Sequence, residues 1–224
     1  MNLGDLKLRT SRVLGVSVGT DDDAVDEDDF LTRLANEAVL DVLVRTRVHV
    51  RDGFVVFSSG ATEFDVDDTI LRMIGIKLNG NSLYEGDQDT LREDEFAFVG
   101  FSRIVLGTQT ANGDKLQFWY TPKPTAMANP TDDPSLFAFG RIPSQFHSAL
   151  VNYMCWWAAD KLGDVQAGRG ERYRAIYEGQ DALGGVGSSL GRIKLAINAR
   201  GGLQRTKRRR EVLVGDVYDD YWRG

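Results

Sequence analysis

Residues Ile142 to Gln180 read IPSQFHSALVNYMCWWAADKLGDVQAGRGERYRAIYEGQ, and this stretch decides the fold class. Pro143 suits a helix entrance, and Ser144 can cap the free backbone N–H groups behind it. Apolar residues then fall at Phe146, Ala149, Leu150, Tyr153, Met154, Trp157, Ala158 and Leu162, the three-and-four spacing of one helical face. Gly163 supplies a left-handed stop, and Asp164 can cap a second helix. That helix carries Val165, Tyr173, Ile176 and Tyr177 on one side and Arg169, Glu171, Arg172 and Arg174 elsewhere. The pattern predicts a tight antiparallel helical hairpin. Within its first helix, Met154-Cys155-Trp156-Trp157 is apolar over a whole turn, and a helix apolar all round must be covered on every side. Two covers stay open: a neighbouring copy, with Trp156 as the subunit-interface candidate, or the chain's own loops.

Working outward, Leu3 to Val13 predicts a short helix before Gly15. Thr20 to Asp29 is acidic, with Asp21, Asp22, Asp23, Asp26, Glu27, Asp28 and Asp29. Its last members suit the first turn of the next helix, where negative charge meets the positive end of the helix dipole. That helix is expected from about Asp28 to Arg47, with Leu31, Leu34, Ala35, Ala38, Val42 and Leu43 facing inward. The period then changes. Val48-His49-Val50 and Phe54-Val55-Val56-Phe57, around Arg51-Asp52-Gly53, read as a β-hairpin. Asp67 to Lys77 reads as a strand and Asn79-Gly80-Asn81 as a turn, with a polar loop over 84–95. Phe96–Leu106 and Leu116–Tyr120, around Asn112-Gly113-Asp114, read as a second hairpin. Pro122, Pro124, Pro130 and Pro134 punctuate an extended connection back to the helices.

The outline is an α+β protein: an antiparallel helical bundle core, a β-rich insertion and an extended C-terminal arm. The expected segments are 1–47 (N-terminal helices), 48–142 (β-rich insertion with its Pro-containing connection), 143–186 (helical hairpin) and 187–224. This last segment holds a Gly-rich hinge, then a basic stretch ending in Lys207, Arg208, Arg209 and Arg210, then a docking arm with Val212, Val214, Tyr218, Tyr221 and Trp222.

Apolar content of 42%, charged content of 27% and a length of 224 residues fit a folded chain with a substantial core. A net charge of -6 argues against a general nucleic-acid binder. The lone Cys155 makes no internal disulfide and reads as a buried reduced thiol, consistent with folding in a cytoplasm. The N-terminus lacks the apolar core of a signal peptide, and no run approaches the roughly 18 apolar residues of a membrane span. His49 and His147 with one cysteine cannot assemble a zinc cluster, so no metal is expected, and both histidines read as satisfied structural residues. The glycine run Gly184–Gly191 lacks the lysine-plus-hydroxyl ending of a phosphate loop and reads as a hinge. No nucleophile elbow is present, so neither enzyme activity nor a cofactor is expected.

The hairpin with its Ile-Pro lead-in, His147 early in the helix, Lys161-Leu162-Gly163-Asp164 at the turn and a Tyr-rich second helix resembles head–tail adaptor proteins of tailed bacteriophages. Leu3-Gly4-Asp5-Leu6 at the start, the Phe30–Arg47 helix and the intervening β-rich insertion follow the same order. The resemblance implies a structural head-completion or connector protein of the virion neck, made in the host cytoplasm. Such proteins form a ring, typically twelvefold, below the portal protein. They extend the DNA channel without gripping DNA specifically and offer a surface to the tail or stopper protein. In this picture Lys207–Arg210 steer the arm towards the portal or a neighbouring copy, and Val212, Val214, Tyr218, Tyr221 and Trp222 anchor it. Two other expectations stand beside it: another neck or tail-completion (stopper) protein, and a DNA-associated regulator using the basic arm.

Overall fold

A computed structural model describes residues 1–15, 24–58, 60–66, 69–99, 103–161, 164–179 and 187–205. The arm residues Lys207 to Trp222, the start of the acidic stretch, Leu162-Gly163 and Gly184–Val186 lie outside them. The fold is mixed α+β, with five helices and a curled sheet of seven strands among the described residues.

Helix α1, Leu3–Leu14, opens on a reciprocal capping box between Asn2 and Asp5 and ends at Gly15, whose φ of 71° is left-handed. Its first N–H groups also reach the Pro-containing connection: Leu3 N–H donates to Asp132 O at 2.7 Å and Gly4 N–H to Pro130 O at 2.9 Å. Helix α2, Ala24–Thr46, starts four residues before the expected Asp28. Asp28 accepts from Lys7 Nζ at 2.7 Å, which ties α2 to α1. Leu31, Leu34, Ala35, Ala38, Val42 and Leu43 are all buried, as their spacing requires.

The approach to helix α3, His147–Lys161, is a 3-10 turn over Ser144–Phe146. Phe146 N–H closes it onto Pro143 O at 2.8 Å; no Ser144 side-chain cap forms. Helix α4, Asp164–Glu178, follows and packs on α3. Cover for the apolar α3 comes from the chain itself, because α1, α2, α4 and the fifth helix all contact it. Ala149, Leu150, Val151, Met154, Cys155, Ala158 and Ala159 are accordingly buried. Trp157, placed on the inner face by its spacing, is 42% exposed, and Trp156 is the half-buried member of the pair.

Beyond Gly187 the expected hinge and extended arm are corrected over their first part. Ser189–Arg205 is a helix, α5. Ser188 Oγ accepts from Gly191 N–H at 2.9 Å, an N-cap, and Leu190 and Ile193 enter the helical core. Buried Leu190 and Ile193, with half-buried Ile197, hold the helix down, while Arg192 and Lys194 remain exposed.

The strands are β1 Arg51–Val56, β2 Glu63–Asp65, β3 Ile70–Leu78, β4 Asn81–Glu85, β5 Glu95–Val99, β6 Arg103–Leu106 and β7 Lys115–Pro122. Their spatial order is β1-β7-β3-β4-β5-β6-β2. Of the expected turns, Asn79-Gly80-Asn81 is present: Asn79 and Gly80 take φ of 52° and 88° between β3 and β4. Both expected hairpins are corrected. Arg51-Asp52-Gly53 is the first half of a continuous β1, and Val48-His49-Val50 precedes it without strand pairing. Gly53 sits opposite Phe118, whose ring lies where a Cβ would be, 2.5 Å from that position. An aromatic over a strand glycine replaces the missing side-chain packing and keeps the strand straight. In the second case, Glu95–Val99 and Arg103–Leu106 pair with each other, while β7 runs between β1 and β3. Polar residues 84–95, expected as loop, supply the end of β4 and a parallel pairing of β4 with β5. A second core of Phe57, Ile76, Leu83, Phe96, Ile104 and Leu116 fills the sheet, separate from the helical one.

Candidate functional site

The two helical elements that bracket the chain are locked by one polar network. Tyr177, fully buried on α4, donates its hydroxyl to Asp41 on α2. Arg45, one turn on, pairs with Asp41 at 3.0 Å and with Glu178 at 2.7 Å. Arg174 closes the chain of charges, 3.1 Å from Glu178, and stacks 5.2 Å over the Trp156 ring. Burial holds the Asp41 carboxyl above its usual range, against the opposing pull of the Tyr177 hydroxyl and Arg45. Burial, then the Asp41 charge, raises Tyr177 so that it stays protonated. The arrangement joins α2 to α4.

The lone cysteine, Cys155, is buried. Burial pushes the Cys155 thiol up to about 12, far from the thiolate character nucleophiles need. Among the described residues no group of three or more His, Cys, Asp and Glu side chains is placed to hold a metal ion. No helix among them is long and apolar enough to cross a membrane. His147 begins α3 fully buried and is satisfied as expected, with Nε2 3.0 Å from Ile142 O and Nδ1 3.0 Å from the Met1 nitrogen.

His49 differs. It lies in the bend between α2 and β1, and it is 2% exposed. Neither ring nitrogen makes a well-directed hydrogen bond, and the Gly140 backbone is a weak polar neighbour, so the expectation of a well-satisfied histidine is not met here. Its ring stands edge-on to Phe137 at 5.0 Å, and the Arg51 guanidinium lies 4.9 Å over the same Phe137 ring. Burial, then the Arg141 and Arg51 charges, lower its pKa against a weaker pull from the Gly140 backbone, so the ring is neutral.

The ring borders a cleft of about 480 Å³. Four separate segments build it: residues 47–50 after α2, Ser135 and Arg141 in the Pro-containing connection, Pro143 and Phe146 ahead of α3, and Ala196 and Ile197 on α5. Arg47 and Arg141 both adopt left-handed backbone, φ 54° and 55°, which non-glycine residues take at some cost. Its described lining includes two arginines and a histidine. Sequence patterning missed this site. Arg47 reads as an ordinary helix-closing cation, and nothing local relates it to Arg141 or Ile197.

Trp156 sits against Arg174 and Tyr177 of its own chain, with ring distances of 5.9 Å to Tyr153 and 6.5 Å to Tyr177. Its neighbour Trp157, stacked on it at 5.0 Å, is the exposed indole of the pair. A further apolar surface lies on β1, where Phe54 is 77% and Val56 51% exposed.

These groups sit in a mixed α+β fold with five helices and a curled seven-stranded sheet among its described residues. The family model described as SU10 adaptor protein matches residues 1–204, and the chain belongs to that family. It is thus a bacteriophage structural adaptor protein, of a family not known as enzymatic, and a component of the virion at the head–tail junction. Membership implies oligomerisation and contacts with other head and tail proteins. No curated protein matches the chain.

Proposed function

We propose that the chain assembles as a ring of twelve copies below the portal protein, extends the DNA channel and presents the attachment surface for the tail or stopper protein. The family match over residues 1–204 carries this reading. The charge supports it: at -6, the chain repels the phosphates of DNA that must slide past it. In this reading the helices act as one bundle that forms the body of the ring. Lateral contact between copies uses the α3 surface at Trp157, beside the half-buried Trp156. The sheet, with Phe54 and Val56 exposed, faces the next neck component or the ring exterior. The arm docks on the portal or a neighbouring copy: Lys207, Arg208, Arg209 and Arg210 steer it, and Val212, Val214, Tyr218, Tyr221 and Trp222 anchor it. That arm begins where the family match ends, so it is the part free to differ with the partner.

Electron microscopy of a lysate from phage lacking the gene tests the reading. DNA-filled or leaking heads beside separate tails are expected; normal infectious particles would overturn it. Deleting residues 206–224 tests the arm, and it should abolish attachment to heads while the rest stays folded. Unchanged attachment would remove the arm from the reading.

A further inference from the structure

The seven-stranded sheet has two edges, and the chain treats them differently. Its order, β1-β7-β3-β4-β5-β6-β2, puts β2 at one end and β1 at the other. β2 is three residues long, and its Glu63 and Asp65 each pair with Arg103 on β6 at 3.2 Å. A short, charged edge is a common guard against further pairing. β1 has six residues, and its second half is Phe54-Val55-Val56, with Phe54 77% and Val56 51% exposed. Among the described residues, backbone hydrogen bonds join β1 to β7 and to no other strand or loop. Alternate residues of β1 thus turn their N–H and C=O groups away from β7, the pattern of an edge that can take another strand.

Val212-Leu213-Val214 has the composition of that strand. Val212 and Val214 lie two residues apart, as Phe54 and Val56 do, so one face of an added strand would continue the apolar face of β1. Leu213 would then share the face of Gly53 and Val55. The segment also departs from the right place. Val50, next to β1, and Ile197 of α5 line the same cleft. From Ile197 the helix runs on to Arg205, about 12 Å. The chain from Arg205 to Val212, extended, spans roughly 23 Å, enough to return past that cleft to the start of β1. Entry there runs the segment parallel to β1. Glu211 then falls near Arg51, and Asp216 near Lys115, the exposed partner of Val56 on β7.

We propose that residues 212–214 add to the free edge of β1 in their own copy, as an eighth, parallel strand of the sheet. This goes beyond the reading of the arm as a docking element. Before a head is met the arm is held on its own sheet, and a partner must compete with β1 for Val212 and Val214. The pairing also removes the edge along which free copies would otherwise associate sheet to sheet.

Hydrogen exchange and photo-crosslinking of the full-length chain test it. The outward amides of β1 should exchange at least tenfold more slowly in the full-length chain than in one lacking residues 206–224. Leu213→Pro, which removes a donor and fixes the backbone, should match the deletion, and Asp219→Pro, beyond the strand, should match the full-length chain. In parallel, a photo-crosslinker in place of Leu213, in mixed isotopically light and heavy full-length chains, should react with residues 51–56 of the same chain. Equal β1 exchange in the full-length and deleted chains would overturn the inference. So would cross-links elsewhere, or light–heavy cross-links, which would assign the segment to a neighbouring copy. If the deletion abolishes head attachment but leaves β1 exchange unchanged, the strand is wrong and the docking arm stands. If β1 loses protection while attachment is intact, the strand stands and the docking arm falls.

Discussion

Tyr177 and Asp41 give the most direct test of how the helices are joined. Tyr177→Phe removes one oxygen and leaves the ring, its 5.4 Å contact with Tyr153 and its burial in place. What is lost is a hydrogen bond to a largely buried carboxylate, worth about 1.5–3 kcal/mol because the acceptor is charged. For a chain of this size the melting temperature should drop by about 4–8 °C for a loss of about 2 kcal/mol. Asp41→Asn makes the opposite experiment. Burial holds the Asp41 carboxyl above its ordinary 3.8, so whatever stability it adds is complete below that value and is lost as pH rises through its folded-state value. At neutral pH its charge is therefore a liability that Tyr177 and Arg45 only offset. Asparagine keeps an oxygen for the Tyr177 hydroxyl, and Arg45 keeps Glu178 at 2.7 Å. Asp41→Asn should then cost less than about 1 kcal/mol, since replacing a buried charge is often near neutral while stripping its partner is not. Thermal unfolding of both variants, followed by circular dichroism, decides the matter. An Asp41→Asn variant less stable than Tyr177→Phe would refute the reasoning, because it would make the buried charge a net source of stability.

Gly107→Ala should destabilise by on the order of 3 kcal/mol or prevent folding, since its Cβ would lie 1.7 Å from the Arg92 carbonyl oxygen, a backbone atom that cannot swing aside; denaturant unfolding measures it, and a near-neutral result would refute that packing. His49 and His147 both have pKa values lowered from 6.5, chiefly by burial, so their stabilising effect is full above that pH and fades as pH falls through their folded-state values. Melting temperature should therefore decline below about pH 6.5, with a shallower decline in His49→Gln; a flat profile would contradict the buried neutral rings. Cys155, its thiol pushed up to about 12 by burial, should react with a thiol reagent only at the rate of unfolding. Labelling of the folded chain within seconds would show that α3 is open on that side.

Much of the helical half is legible residue by residue. Six spaced apolar positions in α2 are six buried ones, and the Asn79-Gly80 turn is where its left-handed residues place it. These are local facts, set by a period of 3.6 or by which residues tolerate positive φ, and a linear sequence contains them. Strand partners are different. Nothing in Lys115–Pro122 says that it lies between β1 and β3 rather than folding back on β6, because strand preference reports a half-buried pleated surface and not a neighbour. Gly53 reads as a turn until Phe118, far along the chain, covers it. Helix α5 likewise hides in a glycine-rich basic stretch, where tertiary contacts of Leu190, Ile193 and Ile197 overrule a poor local pattern. Trp157 is exposed although its spacing matches the buried face of α3, because helical spacing does not encode which neighbours cover a face.

The cleft is the extreme case: its residues come from four segments, and its charge exists only where Arg47, Arg141 and His49 meet. The sequence by itself determined the first four helices, the inner face of α2, the acidic balance and the likeness to phage adaptors. Tertiary structure alone decided the strand order, the fifth helix and the cleft, because each depends on contacts between residues distant in the chain, which no local periodicity records.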